Sequence, residues 1–202
     1  EMCIRDSSIG FALSSCTVPA KGTPTFELKE NEMEYGVGIH GEPGIRRESI
    51  LSADELAKRM TEALMEELNI IEGEEVTVLI NGFGSTPLQE LYLFNHAVAK
   101  VLNEKKVRIY RTFAGNYMTS IDMLGASLTF MKMNEELRDL LDQEAEASAF
   151  SVKGQVPEIV FEAEKSEGSE EVEWTEDADK FSAKVCNEKV TLENILYMVE
   201  AC

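Results

Sequence analysis

Leu56, Met60, Leu64 and Leu68 recur at four-residue spacing, which places them on one face of a helix. Glu62, Glu66 and Glu67 lie off that stripe and read as solvated. Ser52-Ala53-Asp54-Glu55 opens the helix as a capping box, in which hydroxyl and carboxylate satisfy backbone N–H groups reciprocally. Gly73 stands just past its expected end. Val76-Thr77-Val78-Leu79-Ile80 is a β-branched apolar run and predicts a strand buried on at least one face. Thr86-Pro87 then predicts a helix start, a capping hydroxyl followed by proline in the first helical position. Leu88, Leu91, Tyr92, Phe94, Ala97, Val98 and Leu102 are that helix's apolar positions. Val107-Arg108-Ile109-Tyr110-Arg111 alternates as a strand, and residues 126–133 predict another, with Met131 and Met133 on one packed face. A short helical segment is expected over residues 119–124, and Asn134 caps a last helix with Leu137, Leu140 and Leu141 on one side.

Before the first helix the pattern is weaker. Residues 25–29 and 33–37 predict short strands, and residues 45–50 an edge strand. Residues 8–20 hold a short apolar segment (Ile9, Phe11, Ala12, Leu13) and a polar loop closed by Pro19. Strands and helices alternate, so the expected fold class is α/β, a layered mixed sheet packed with helices. Past Asp142 the composition turns polar, and residues 162–180 are acidic with little to bury, as expected of a solvated linker. Residues 156–161 form a stray strand candidate, and residues 190–200 an amphipathic helix capped by Thr191.

The 202 residues are 44% hydrophobic, enough for a packed core, and carry a net charge of −19. That charge repels phosphate, so a nucleic-acid partner and an anionic membrane surface are not expected. No apolar run has the length to span a bilayer. The 4 cysteines are scattered, with no CxxC pair, so neither a disulfide framework nor a zinc site is expected and a cytoplasmic location fits.

Candidate chemistry centres on Gly36-Val37-Gly38-Ile39-His40-Gly41-Glu42-Pro43-Gly44, which holds one of the 2 histidines. Glycine lets a ligand approach the backbone, and imidazole is readily neutral, hence nucleophilic, near pH 7. His40 either serves as that nucleophile or merely lines a turn. His96, within a predicted helix, reads as structural. Asn81-Gly82-Phe83-Gly84-Ser85 joins a strand to a helix N-terminus, geometry open to anions, but it lacks both the dinucleotide and the Walker patterns. It is read as shaping packing or an interface. Asn116 and Tyr117 either line a pocket or bury the ring.

Asn31-Glu32-Met33-Glu34-Tyr35 leading into the glycine loop resembles the second subdomain of the dihydroxyacetone kinase K domain. Further matching runs keep that family's order: Ser14-Ser15-Cys16-Thr17-Val18-Pro19, Asn81-Gly82-Phe83-Gly84-Ser85-Thr86-Pro87 with Leu88-Gln89-Glu90-Leu91, and Gly115-Asn116-Tyr117-Met118-Thr119-Ser120. Residues 1–7 match none of it and read as an irregular lead. The resemblance implies residues 1–20 as lead and inter-subdomain segment, 21–150 as the second subdomain, 151–185 as an acidic linker, and 186–202 as the start of an ATP-binding L domain. The chain is accordingly expected to be the middle of a fused K–L kinase, cut at both ends.

The resemblance implies that His40 binds the C2 carbonyl of dihydroxyacetone as a hemiaminal, both catalytic and substrate-binding. It implies phosphorylation to dihydroxyacetone phosphate, a homodimer, and ATP with Mg²⁺ held by the L domain, in cis or in trans, rather than by this chain. No metal or cofactor ligand is assigned here, and the chain alone is expected to be inactive. Three other readings stay open: a non-catalytic sugar-binding co-regulator, a dimerisation module, and a phosphoenolpyruvate-dependent relay as donor.

Overall fold

The apolar run of residues 76–80 is realised as β4 (Glu75–Gly82), whose Val76, Val78 and Ile80 are wholly buried. A computed structural model describes residues 5–38, 44–148 and 150–153, with the backbone of 184–185 and 188–189. The chain divides into two units, Glu1–Phe161 and Glu162–Cys202. The first contains β1 (Asp6–Ala12), β2 (Glu32–Tyr35), β3 (Arg46–Ser49), α1 (Ala53–Glu67), β4, α2 (Leu88–Glu104), β5 (Arg108–Gly115), β6 (Gly125–Lys132), α3 (Glu135–Leu141), β7 (Ala145–Ala147) and β8 (Phe150–Val152). In the second, β9 (Lys184–Val185) and β10 (Glu188–Lys189) pair antiparallel.

The main sheet has six strands in the order β3-β2-β1-β6-β4-β5. Only β4 and β5 run parallel, with α2 as their crossover; the other neighbours are antiparallel. The sheet is therefore mixed and the class α/β, as the alternation predicts. Val78 and Ile80 of β4, with Leu128 and Phe130 of β6, pack with α1 and α2 in one core. The α1 stripe of Leu56, Met60, Leu64 and Leu68 lies in that core, each side chain worth about 2 kcal/mol of burial. A smaller cluster of Ala12, Phe83 and Met123 gathers Cys16, Phe26 and Val37.

The Ser52 capping box is formed in both directions, and Asn134 caps α3 by accepting from the Leu137 N–H. Other expectations need correction. β1 begins at Asp6, inside the stretch read as an irregular lead, and lies between β2 and β6. Residues 25–29 form no strand. Gly73 does not end α1. Asn69 does, at φ 51°, with Ile70 N–H donating to Met65 O and Asn69 N–H to Glu66 O. Thr86 does not cap α2: Pro87 is the N-cap and has no side-chain hydrogen bond. The Thr86 hydroxyl donates to Gly125 O and accepts from Gly125 N–H, stitching the start of β6 instead. Leu88 and Tyr92 are exposed rather than packed. Residues 119–124 form a turn, not a helix, with Ile121 at φ 55°. The stretch past Asp142, where the composition turns polar, holds the β7–β8 hairpin. The acidic run 162–180, the strand candidate 156–161 and the helix candidate 190–200 lie outside the described residues. Among the described residues no helix is long and apolar enough to cross a membrane.

Candidate functional site

The glycine run of residues 36–44 lies in the connection between β2 and β3, whose register pairs Tyr35 with Arg46. His40 belongs to residues 39–43, outside the described residues, so the site is built from the two stems that carry them. On the entering side, Gly36 and Val37 both donate to Gly10 O of β1, at 2.7 and 3.1 Å. Gly36 takes φ 79°, and a Cβ there would overlap the Ile45 side chain. On the leaving side, Ile45 N–H donates to Tyr35 O at 2.7 Å and Gly44 N–H to Glu34 Oε1 at 2.7 Å. A Cβ on Gly44 would overlap Cγ of Glu34, so glycine permits that approach.

The strand pattern explains why Glu34 is placed to do this. Met33 and Tyr35 belong to the helix-side core, and side chains alternate along β2, so Glu34 faces the other way. Glu34 is 8% exposed, its Oε2 lies 3.5 Å from Arg47 Nη2, and Oε2 has no hydrogen-bond partner among the described residues. Arg47 also donates to Glu27 O and lies over the Phe26 ring, tying β3 to the loop before β2. On the helix side the Tyr35 ring lies under Arg46 and Arg59, at 5.1 and 5.4 Å from the ring centre. Burial raises the Tyr35 hydroxyl pKa against the opposing pull of those guanidiniums, so the ring stays neutral at physiological pH.

Val37 packs against the small cluster containing Phe83, which brings the loop's entering stem beside the β4–α2 connection. That connection is a packing device. Phe83, Gly84 and Ser85 N–H groups donate to Gly125 O, Asn116 Oδ1 and Met123 O respectively, so these three amides are already committed. Asn81, wholly buried, donates to Met118 O at 2.9 Å and accepts from Tyr117 and Met118 N–H at 2.9 and 2.8 Å. The residues after β5 are thereby held over the end of β4. Asn116 turns to Gly84, and the half-exposed Tyr117 ring meets Phe150 edge-on at 5.5 Å. Burial raises the Tyr117 pKa, with a smaller contribution from Tyr92. Opposite, Asp122 accepts from Thr17 N–H at 2.7 Å and Ser14 Oγ from Leu124 N–H at 2.9 Å, joining the Ser14–Thr17 run to this turn. The hydrogen bond from Thr17 holds the Asp122 carboxyl below the usual aspartate range.

His96 is exposed on α2. Among the described residues no group of three or more His, Cys, Asp or Glu side chains could hold a metal ion. The sequence alone assigns no individual role to Glu34, Asp122 or the buried Asn81. For Glu34 the available signal was the Glu-Met-Glu-Tyr alternation, which turns it away from the core beside the glycine run.

Two of the matching runs, 81–87 and 14–19, thus pack with Val37 of the entering stem through Phe83 and Cys16, and the run 115–120 bonds to the first of them at Asn81 and Gly84. The family profile described as the Dak1 domain matches residues 2–149. The dihydroxyacetone-binding subunit DhaK of a PTS-dependent dihydroxyacetone kinase from Listeria innocua is 48% identical over 145 residues. The match covers 72% of this chain and 44% of that subunit, so the chain spans under half of its relative. Among solved structures, a dihydroxyacetone kinase operon co-activator, Dha-DhaQ, superposes with a TM-score of 0.68 at 32% identity, covering 74% of this chain and 46% of that one. The dihydroxyacetone kinase of C. freundii in complex with AMP-PNP and Mg²⁺ superposes with a TM-score of 0.61 at 26% identity, covering 85% and 31%.

Proposed function

Because the chain belongs to the Dak1 domain family, we propose that it is the substrate-holding second subdomain of a dihydroxyacetone kinase, with His40 as the residue that captures the ketone. The observation that carries this reading is the two-sided stem, in which Gly10 O takes the entering end and Glu34 the leaving end of the one connection that contains His40. In the capture step the lone pair of a neutral imidazole nitrogen forms the bond to C2. The C=O π pair moves to oxygen, that oxygen gains a proton, and the ring loses its N–H proton. A hemiaminal fixes the triose with one primary hydroxyl free to accept a phosphoryl group. Glycerol has no carbonyl to add to, so the same chemistry selects ketone over polyol.

The phosphoryl donor is ATP with Mg²⁺, bound by a separate L domain in cis or in trans, a choice supported by the AMP-PNP and Mg²⁺ complex of the C. freundii kinase; the likeness to the PTS-dependent Listeria subunit favours the phosphoenolpyruvate relay. The protein works as a cytoplasmic homodimer, and this chain alone has no kinase turnover. Residues 151–185 link the subdomain to residues 186–202, which open the L domain. The second reading, a sugar-binding co-regulator, is favoured by the likeness to the co-activator Dha-DhaQ.

The intact protein is to be mixed with dihydroxyacetone labelled with ¹³C at C2. The carbonyl resonance should be replaced by that of a tetrahedral carbon, and His40→Ala should abolish the change. Undiminished adduct or unchanged binding in His40→Ala overturns the capture step. Adduct without any ATP-dependent turnover of the intact protein favours the co-regulator.

A further inference from the structure

We infer that Glu34 is the positioning residue of the 36–45 connection, setting how the loop presents the capture site; this rests on the kinase reading above. Its carboxylate is nine-tenths buried, and among the described residues it makes one hydrogen bond, which reaches ten positions along the chain to the Gly44 N–H. One of its oxygens has no hydrogen bond among the described residues, so filling space does not by itself explain a carboxylate at this buried position. What an apolar residue cannot do is take the Gly44 N–H. The main-chain bond from Ile45 to Tyr35 closes the hairpin, and the Glu34 bond then fixes the residue just before it. The arc from Gly36 to Gly44 therefore spans two fixed ends, both attached to adjacent strands. Arg47, 3.5 Å from Oε2 and bonded to Glu27 O, holds the carboxylate from the far side. Gly44 and Glu34 form a matched pair, since any Cβ at 44 would push the carboxylate away.

The test compares Glu34→Ala, Glu34→Asp and Glu34→Gln in the intact kinase with its phosphoryl-donor domain. Glutamine keeps an acceptor at Oε1; aspartate keeps the charge but withdraws it by one methylene from Gly44. Loss of one charge-assisted hydrogen bond should raise KM for dihydroxyacetone about tenfold in Glu34→Ala and Glu34→Asp. The kcat should move less than KM, and Glu34→Gln should restore KM to within about threefold of the parent. A parental KM in either the Ala or the Asp variant, or no rescue by Gln, overturns the inference. If Glu34→Ala does not fold, the Asp and Gln pair decides alone. If the parent protein itself forms no adduct, the kinase reading fails, and the inference is read from amide hydrogen exchange. Exchange at Gly44 should then quicken about tenfold in Glu34→Asp, while Met33 and Tyr35 in β2 stay protected; unchanged exchange at Gly44 overturns it.

Discussion

Replacing Asn81 with alanine tests the coupling between the end of β4 and the turn after β5. Asn81 has no solvent exposure, and its amide makes three hydrogen bonds, at 2.8 to 2.9 Å, to the backbone of Tyr117 and Met118. Each contributes about 1 kcal/mol net, so the loss should be about 3 kcal/mol. Water can reach part of the freed backbone, since Met118 is exposed. In a domain of this size 1 kcal/mol corresponds to about 2–4 °C, so the melting temperature should fall by about 6–12 °C. The control is Asn81→Asp, which keeps the accepting oxygen but sets a second oxygen against Met118 O, where the amide donated. It should lose at least as much as alanine. Urea denaturation followed by far-ultraviolet circular dichroism gives the free energy, and amide exchange at Tyr117 and Met118 locates it. A loss under about 1 kcal/mol, or an Asp variant as stable as the parent, would refute the claim that this amide organises the turn.

Two further outcomes follow from the described contacts. Ser52→Ala removes the capping hydroxyl of α1 and should cost about 1 kcal/mol, read by denaturation and by faster exchange of the Glu55 amide. The Asp122 carboxyl is held below its ordinary range by the Thr17 N–H, so its contribution is complete above the unfolded value and is lost as pH falls through the lowered folded value. Asp122→Ala should therefore flatten the acid limb of the melting curve below about pH 4, and parallel limbs for the two proteins would contradict the assignment.

The parts of the fold that were readable in advance are those where local pattern and packing agree. The spacing from Leu56 to Leu68 needed no tertiary information, and the capping box lies within four consecutive residues. The errors have a common cause. The β1 strand begins with Asp6-Ser7-Ser8, whose polar side chains give no alternation signal, because its pairing is supplied by β6. Leu88 and Tyr92 fit a helical stripe but lie on the exposed face of α2, either side of the buried Leu91. Thr86 has the chemistry of a cap, and β6 takes the hydroxyl instead. At the site, the glycine run marked the connection, but the partner of its leaving end, Glu34, lies in the preceding strand as an ordinary-looking acidic residue. That pairing becomes visible only when β2 and β3 are brought into register.

The position of β1 bears on the order in which the protein assembles. It is the single bridge between the β2–β3 hairpin and the rest of the sheet, and its Ser8 meets Thr129 of β6 across 121 residues. Closing a chain of that length costs about 4 kcal/mol of entropy before any pairing rewards it. On the ribosome, β1, β2 and β3 can pair with one another early, but the piece they form with the glycine arc joins β4 and β5 only once β6 has emerged. Nascent chains halted before Gly125 should accordingly remain unable to capture a ketone, however much of α1 and α2 has already formed.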